Sequence, residues 1–170
     1  MKSVVVVEAP PMHPLKFWTP IRYSRVTVAQ NFKELTEVAL DILRDMPRQP
    51  IVQVCGSLTS GGRSLEENIK IFQSAIEHLC NKNWVFNQLP FEPKTLRMIG
   101  ARSGTDYTWD LMNEFYLPIF QSGYIKTLFF LRGWKKSTGA SWEHDRAVID
   151  LKIPTFYLDD EFQIHSTPLD

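Results

Sequence analysis

The residues with the clearest capacity for chemistry lie in one stretch, residues 131–147. Its loop offers the hydroxyls of Ser137 and Thr138 and the small backbone of Gly139, directly before a segment of helical spacing. Hydroxyls and free backbone N–H groups at the start of a helix bind anions such as phosphate. Glu143 lies on the same face of the predicted helix as Gly139, and roughly 9 Å from Ser137 at about 1.5 Å rise per residue. The stretch therefore predicts a site near the size of a sugar phosphate.

A second candidate region is the glycine-rich turn that follows the apolar run at residues 51–55. It contains Gly56, Ser57, Gly61, Gly62 and Arg63. Such a turn lets the backbone approach an anion closely. The glycine spacing is partly that of a nucleoside triphosphate loop, but Gly62 stands where that pattern requires a lysine, and no dinucleotide-binding glycine pattern is present. Taken alone, a turn without any ligand explains these residues at least as well.

The elements that must position these residues follow from the apolar pattern. Four short apolar runs predict strands, at residues 51–55, 84–86, 124–131 and 154–158. Segments of helical spacing alternate with them, at residues 31–46, 65–80, 105–122 and from the 131–147 stretch to about 151. Asn31 is a predicted N-cap, and Ser64 with Glu67 a predicted capping box. The alternation predicts a three-layer α/β fold of Rossmann or flavodoxin type, in which helices flank a mostly parallel sheet.

The domain organisation follows from the same pattern. Residues 51–170 form the predicted α/β domain, and residues 1–50 an N-terminal extension packed on it, with a possible strand at residues 2–8. Because the carboxyl ends of parallel strands meet at one sheet edge, we expect both loops and Asn87 to lie together there. Asp110 lies on the helix before the third long strand. Alone, Asp110 reads as a surface residue and Glu143 as a solvated glutamate on a capped helix; their convergence with hydroxyls and glycines favours a site.

Composition narrows the partners. The 170 residues include 19 Lys+Arg and 19 Asp+Glu, so the net charge of zero argues against nucleic acid or an anionic membrane and favours a small ligand. The four-valine run at residues 4–7 is too short for a signal peptide or a membrane span. Cys55 and Cys80 predict buried free thiols in a reducing, cytoplasmic compartment. The four histidines have no metal-ligand spacing, so we expect no metal and no cofactor.

Several of these residues together form a family pattern. They are Cys55-Gly56-Ser57, Gly61-Gly62-Arg63, Asp110-Leu111 and the run Ser137-x-Gly139-x-x-x-Glu143-x-x-x-Ala147. The pattern resembles the nucleoside 2-deoxyribosyltransferase superfamily over roughly residues 51–158. Within that superfamily the chain is similar to 2′-deoxynucleoside 5′-phosphate N-hydrolases and to uncharacterised bacterial and phage relatives.

The resemblance implies an N-glycosidase that acts on a (deoxy)nucleoside 5′-monophosphate. Glu143 matches the nucleophile, and its position near a helix N-terminus is expected to favour the ionised form. Asp110 matches the second acid, which protonates the departing base or orients the nucleophile. Ser137, where free-nucleoside transferases have an aspartate, matches a phosphate-binding serine. The implied substrate contacts are completed by Gly56, Ser57, Gly61, Gly62, Arg63, Asn87 and Gly139.

Two departures from the pattern keep other functions open. The loop after Gly56 is longer by one residue than in the hydrolases, and residues 124–126 lack the aspartate that relatives usually have. A deoxyribosyltransferase that passes the sugar to a second base is one alternative, and a nucleotide-binding or sensing module without catalysis is another. The resemblance also implies a homodimer, because relatives commonly form dimers with sites near the interface.

Overall fold

The computed structural model of the chain describes residues 10–100 and 107–169. The α-helices are α1 (Pro20–Val28), α2 (Phe32–Asp45), α3 (Leu65–Cys80), α4 (Glu92–Gly100), α5 (Tyr107–Leu111), α6 (Leu117–Gln121) and α7 (Thr138–Asp145). A π-helical segment, Met112–Tyr116, joins α5 to α6, and another, Arg146–Leu151, continues α7. The strands are β1 (Ile51–Cys55), β2 (Trp84–Val85), β3 (Ile125–Leu131), β4 (Thr155–Leu158) and β5 (Ile164–His165).

The strands form one five-stranded sheet in the order β2-β1-β3-β4-β5. β1 is parallel to β2 and to β3, and β3 is parallel to β4, whereas β5 is antiparallel to β4. The prediction of a mixed α/β fold with a mostly parallel sheet is therefore confirmed, and the short antiparallel β5 was not predicted. β2, which follows β1 in the sequence, lies on one side of β1, and β3 lies on the other side. The order of the strands thus reverses between β1 and β3.

Local sequence explains where the helices begin. The Asn31 side chain accepts a hydrogen bond from the backbone N of Glu34 (3.0 Å), which caps α2 as predicted. The predicted capping box at α3 is also present, because Ser64 accepts from the Glu67 backbone while the Glu67 carboxylate accepts from the Ser64 backbone. A missing cap of this type typically costs about 1 kcal/mol. α3 then contacts β1 and β2 through a face that includes Phe72 and Ile76.

The helix α1 was not predicted, because prolines dominate residues 10–20. Pro20 nevertheless occupies the first turn, where its missing N–H costs nothing, and Thr19 caps the helix by accepting from Arg22. Arg22 is itself buried, and its guanidinium donates to the carbonyl oxygens of Phe17 (2.7 Å) and Asp41 (3.1 Å). The predicted strand at residues 2–8 and the predicted helix start at residues 105–106 lie outside the described residues.

The N-terminal segment shares the core of the sheet and its helices. The Trp18 indole N–H donates to the carbonyl of Asn87 (3.0 Å), and the Trp18 ring packs edge-on against Phe91 at 4.8 Å. The Thr36 hydroxyl of α2 donates to the carbonyl of Glu114 (2.6 Å). Apolar side chains of α1, α2, the sheet and the later helices belong to one buried cluster.

Two further expectations concern cysteines and membranes. Cys55 and Cys80 are both buried free thiols, as predicted. None of the helices in the described ranges is long and apolar enough to cross a membrane.

Candidate functional site

The two predicted loops meet where β1 and β3 end. A Cβ atom placed on Gly56 would lie 3.0 Å from both Cβ and Cδ1 of Leu131, the last residue of β3. A Cβ contact of 3.0 Å is tighter than most in proteins, so a larger residue at position 56 would push Leu131 aside by a few tenths of an ångström. This edge is also where the strand order reverses, and ligands of open α/β sheets commonly bind at such a point.

A cavity of about 330 Å³ lies between these loops, and we call it the first cavity. Its lining includes Ser57, Gly61 and Arg63 from the loop after β1, and Leu131, Arg132 and Lys136 from the end of β3 and the loop that follows it. Arg132 pairs with Asp160 through Nη1 and Oδ2 at 3.0 Å. Arg63 and Lys136 have no salt-bridge partner within the described part of the chain. The first cavity therefore carries an excess of positive charge, which suits an anionic ligand.

The glycine-rich loop is held in place by a residue that the sequence analysis missed. Gly61 and Gly62 adopt φ angles of +88° and +83°, which side chains rarely tolerate. Asn68, buried on α3, donates from Nδ2 to the carbonyls of Leu58 (2.8 Å) and Ser60 (3.3 Å). The available signal was a polar residue on the buried face of an otherwise apolar helix stripe.

The start of α7, which follows the loop that lines this cavity in the sequence, offers hydrogen-bond donors. The Ser137 hydroxyl oxygen accepts from the Ala140 backbone N (3.2 Å), which leaves its proton free to donate. The backbone N–H groups of Thr138 and Gly139 open the helix and have no intrahelical partner. Neither Ser137 nor Gly139 lines the first cavity. The Cβ position of Gly139 is instead 3.5 Å from Cε of Met112.

Glu143 is the sixth residue of α7 and is 6% exposed. Burial raises the pKa of its carboxyl group to about 8, a hydrogen bond with the Cys55 thiol lowers it, and the charge of Glu92 raises it further. The expectation that the helix N-terminus would keep Glu143 ionised is therefore wrong. The helix dipole acts mainly on the first turn, and Glu143 lies beyond that turn. The loss of hydration on burial therefore dominates the pKa of its carboxyl group.

A buried acid that the sequence analysis missed lies close to this carboxyl group. Glu92, the first residue of α4, is 5% exposed, and burial raises its pKa to about 7. Its Oε1 accepts from the Tyr116 hydroxyl (3.0 Å), and its Oε2 accepts from the Thr95 hydroxyl (3.3 Å). Burial, with the nearby charges of Glu92 and Glu143, holds the pKa of Tyr116 well above its ordinary value. Glu92 precedes Pro93 within residues 88–103, which the sequence predicts as a loop with a possible short helix, so no pattern signals its burial.

The remaining predicted residues are dispersed. Asp110 is half-buried on α5, and neither Asp110 nor Glu143 lines the first cavity. Gly62 is exposed, with nothing near its Cβ position. Asn87 is buried, and its amide donates to the carbonyl of Pro14 (3.1 Å) and accepts from the Leu89 backbone (3.1 Å). Asn87 thus fastens the N-terminal segment and does not reach the first cavity.

A second, larger cavity of about 1070 Å³ is bounded by residues 13–15, α1, α3 and α4, and we call it the groove. Most of its lining is apolar, and includes Val26, Ile69, Ile76 and Leu96. Asn87 and Glu92 also line it, whereas no residue lines both the groove and the first cavity.

Within residues 10–100 and 107–169, no group of three or more His, Cys, Asp or Glu side chains could hold a metal ion. Comparisons of the chain with protein families, with curated proteins and with solved structures find no match.

Proposed function

We propose that the protein hydrolyses the N-glycosidic bond of a (deoxy)nucleoside 5′-monophosphate to free base and sugar 5-phosphate. The observation that carries the proposal is the first cavity, in which a glycine-rich loop and the basic side chains of Arg63 and Lys136 meet where β1 and β3 end. Its volume of about 330 Å³ suits a small ligand. A phosphate group satisfies both the cations and the backbone N–H groups of such loops.

In this proposal Glu143 attacks the anomeric carbon. The C–N bond breaks with its electron pair on the base, which takes a proton from Asp110. Water then attacks the glycosyl ester, gives its proton to the Asp110 carboxylate, and releases Glu143 as a carboxylate. Because burial keeps Glu143 protonated at neutral pH, the carboxyl group must lose its proton before it attacks. We therefore expect kcat/KM to rise with pH up to about 8, the pKa of Glu143.

The test is release of free base from a panel of ribo- and deoxyribonucleoside 5′-monophosphates and the matching nucleosides, followed by chromatography. Glu143→Gln should reduce release at least 1000-fold if the carboxylate is the nucleophile, an effect of about 4 kcal/mol. Asp145→Asn is the matched control, because Asp145 is exposed on the same helix. Release from nucleosides but not from monophosphates would contradict a phosphate-binding role for Ser137 and favour the deoxyribosyltransferase alternative.

One observation favours a second candidate, a nucleotide-binding module without catalysis. Glu143 is 6% exposed and lines neither the first cavity nor the groove, so a ligand in either would not touch it directly. Tight binding of a monophosphate that survives Glu143→Gln, with no base released by the parent protein, would select this candidate.

We also infer the arrangement around this site. The strand order 2-1-3-4-5 is that of flavodoxin-like folds, which supports a three-layer sheet with helices on both faces. The resemblance to the deoxyribosyltransferase superfamily supports a homodimer, which sedimentation equilibrium would test. Two buried free thiols support a reducing, cytoplasmic location.

A further inference from the structure

The lining of the first cavity includes one carboxylate beside its cations. Arg63, Arg132 and Lys136 supply the positive charges, and Asp160 is the acid among the described lining residues. Asp160 Oδ2 lies 3.0 Å from Arg132 Nη1, so these two side chains form an ion pair within the lining. Cations that lie close together repel one another, and a carboxylate beside them offsets part of that repulsion. Asp160 therefore has toward Arg132 the role that a bound phosphate would have.

Asp160 lies in the turn between β4 and β5, and its neighbour Asp159 holds that turn. Asp159 Oδ1 accepts hydrogen bonds from the backbone N of Glu161 and of Gln163, both at 2.9 Å. The backbone N of Asp159 also donates to the carbonyl of Gln163 (3.2 Å). These bonds do not involve the Asp160 side chain, so its carboxylate can leave Arg132 while the turn keeps its shape.

A ligand can break the ion pair at little cost. The side chains of Arg132 and Asp160 are 51% and 65% exposed, and pairs this exposed contribute little to stability because water screens both charges. The planar guanidinium of Arg132 can donate to two oxygens of a phosphate as well as to a carboxylate. A phosphate dianion carries more charge than a carboxylate, and Arg63 and Lys136 attract it to the same cavity. Exchange of Asp160 for a phosphate on Arg132 is therefore favourable.

We propose that Arg132 is the third cation of the phosphate site, and that a phosphate binds by displacing Asp160 from it. Asp160 is then a competitor within the chain, and its carboxylate lowers the affinity of the first cavity for phosphate. A neutral sugar offers Arg132 no charge and leaves the ion pair intact. The inference rests on the proposed function in one respect, that the first cavity binds a phosphate group, and it does not depend on cleavage of the bond to a base.

Binding of ribose 5-phosphate, measured by NMR titration, tests the proposal. The buffer contains no phosphate and about 0.15 M NaCl, which screens charges that do not touch the ligand. Asp160→Asn keeps the size of the side chain and removes the competing charge, so it should bind ribose 5-phosphate about threefold more tightly than the parent protein. Glu161→Gln is the matched control, because Glu161 is exposed on the same turn and the variant changes the net charge equally. It should change the affinity by less than about 1.5-fold.

A double-mutant cycle shows whether Asp160 acts through Arg132. Arg132→Gln should weaken ribose 5-phosphate up to about fivefold. Adding Asp160→Asn to Arg132→Gln should then change the affinity by less than about 1.5-fold, because the carboxylate no longer competes for a shared partner.

Three results would each overturn the proposal. The first is an equal gain from Asp160→Asn with and without Arg132, and the second is an equal gain from Glu161→Gln, since both would indicate simple repulsion of the ligand. The third is no binding of ribose 5-phosphate at millimolar concentration to the parent protein or to Asp160→Asn. Failure to release base from monophosphates, with the cycle as expected, would contradict the proposed function alone.

Discussion

The first cavity and the groove differ in what builds them. Loops at the ends of β1 and β3 form the first cavity, and they supply glycines, hydroxyls and basic side chains. Helices α1, α3 and α4 form the groove, which is three times larger by volume, about 1070 Å³ against 330 Å³, and mostly apolar. A loop site is specified by a few residues with special conformations, whereas a site between helices is specified by packing over many turns.

The two cavities also differ in how they are held. The pairing of β1 with β3 sets the distance between the loops of the first cavity, and it leaves little room beside Leu131 for a side chain larger than that of Gly56. Several dispersed hydrogen bonds, such as that of Trp18 to Asn87, hold the wall of the groove. We therefore expect a single substitution to disrupt the first cavity, and single substitutions to affect the groove less.

The largest expected effect concerns the buried acids, Glu143 on α7 and Glu92 in the groove. Their pKa values rise from 4.5 to about 8 and about 7, so the folded state holds protons that the unfolded state releases. The free energy of unfolding should thus fall as pH rises from about 4.5 to about 8. Between pH 5 and pH 8.5, Glu143→Gln should remove on the order of 3 kcal/mol of this decrease in the free energy of unfolding. Glu92→Gln should remove less.

Urea denaturation at the two pH values measures this difference. Glu37→Gln, a change at an exposed glutamate of α2, is the control and should leave the pH dependence as it is. An unchanged pH dependence in Glu143→Gln would show that this carboxyl group is ionised in the folded protein at neutral pH.

The next largest effect is expected where Gly56 approaches Leu131. Gly56→Ala places a Cβ 3.0 Å from Leu131, so overpacking should cost about 2 kcal/mol in urea denaturation. Gly100→Ala is the control, because Gly100 lies in α4 with nothing near its Cβ position, and it should stabilise the protein by up to about 1 kcal/mol. A loss of stability below about 0.5 kcal/mol in Gly56→Ala would contradict the crowding beside Leu131.

A smaller effect is expected from the basic residues of the first cavity. Arg63 and Lys136 are exposed, and removing one exposed charge typically costs up to about 1 kcal/mol, so Arg63→Gln and Lys136→Gln should each weaken a nucleoside monophosphate up to about fivefold. The matching nucleoside should bind with unchanged affinity, and the difference should shrink in high salt. Lys126→Gln, on β3 outside the cavity, is the control, and an equal loss there would indicate a general charge effect.

The smallest effect is expected at the rim of the groove. Lys94→Met removes the hydrogen bond to the Thr27 carbonyl, and Lys94 is partly solvated, so the change should cost less than about 0.5 kcal/mol. Thermal denaturation measures it. A loss several times larger would mean that the groove depends on one contact.

Sequence reasoning identified three residues of the lining of the first cavity, Ser57, Gly61 and Arg63, and did not name others such as Asn68 and Lys136. A turn after a strand requires residue types and spacing such as those of Gly56, Ser57, Gly61 and Arg63. The capping box of α3 marks where that turn ends. These features are local, so a short stretch of sequence contains their cause. The contact of Gly56 with Leu131 is not local, and only the parallel pairing of β1 with β3 brings it about.

The groove and the buried acids could not be predicted in this way. Glu92 follows Phe91 in a stretch without helical periodicity, and its burial depends on the hydroxyl of Tyr116, 24 residues later. The helix start before Glu143 was predicted correctly, but burial raises the pKa of Glu143, and no short sequence pattern encodes that burial. The helix α1 was missed although Thr19 and Pro20 form a regular helix start, because neighbouring prolines obscured it.

The attachment of α2 has a consequence for synthesis of the chain. Its apolar face packs against the helical run of residues 112–121, and Thr36 donates to Glu114, which lies 78 residues further along. A ribosome adding about 5 to 20 residues per second needs roughly 4 to 16 seconds to cover that distance. Throughout that time α2, which carries Phe32, Leu35 and Ile42, lacks the helical run that packs on it in the folded protein, although α1 is already present. The nascent chain therefore exposes the apolar face of an amphipathic helix to chaperones and to neighbouring chains on the polysome until two thirds of the protein has been made.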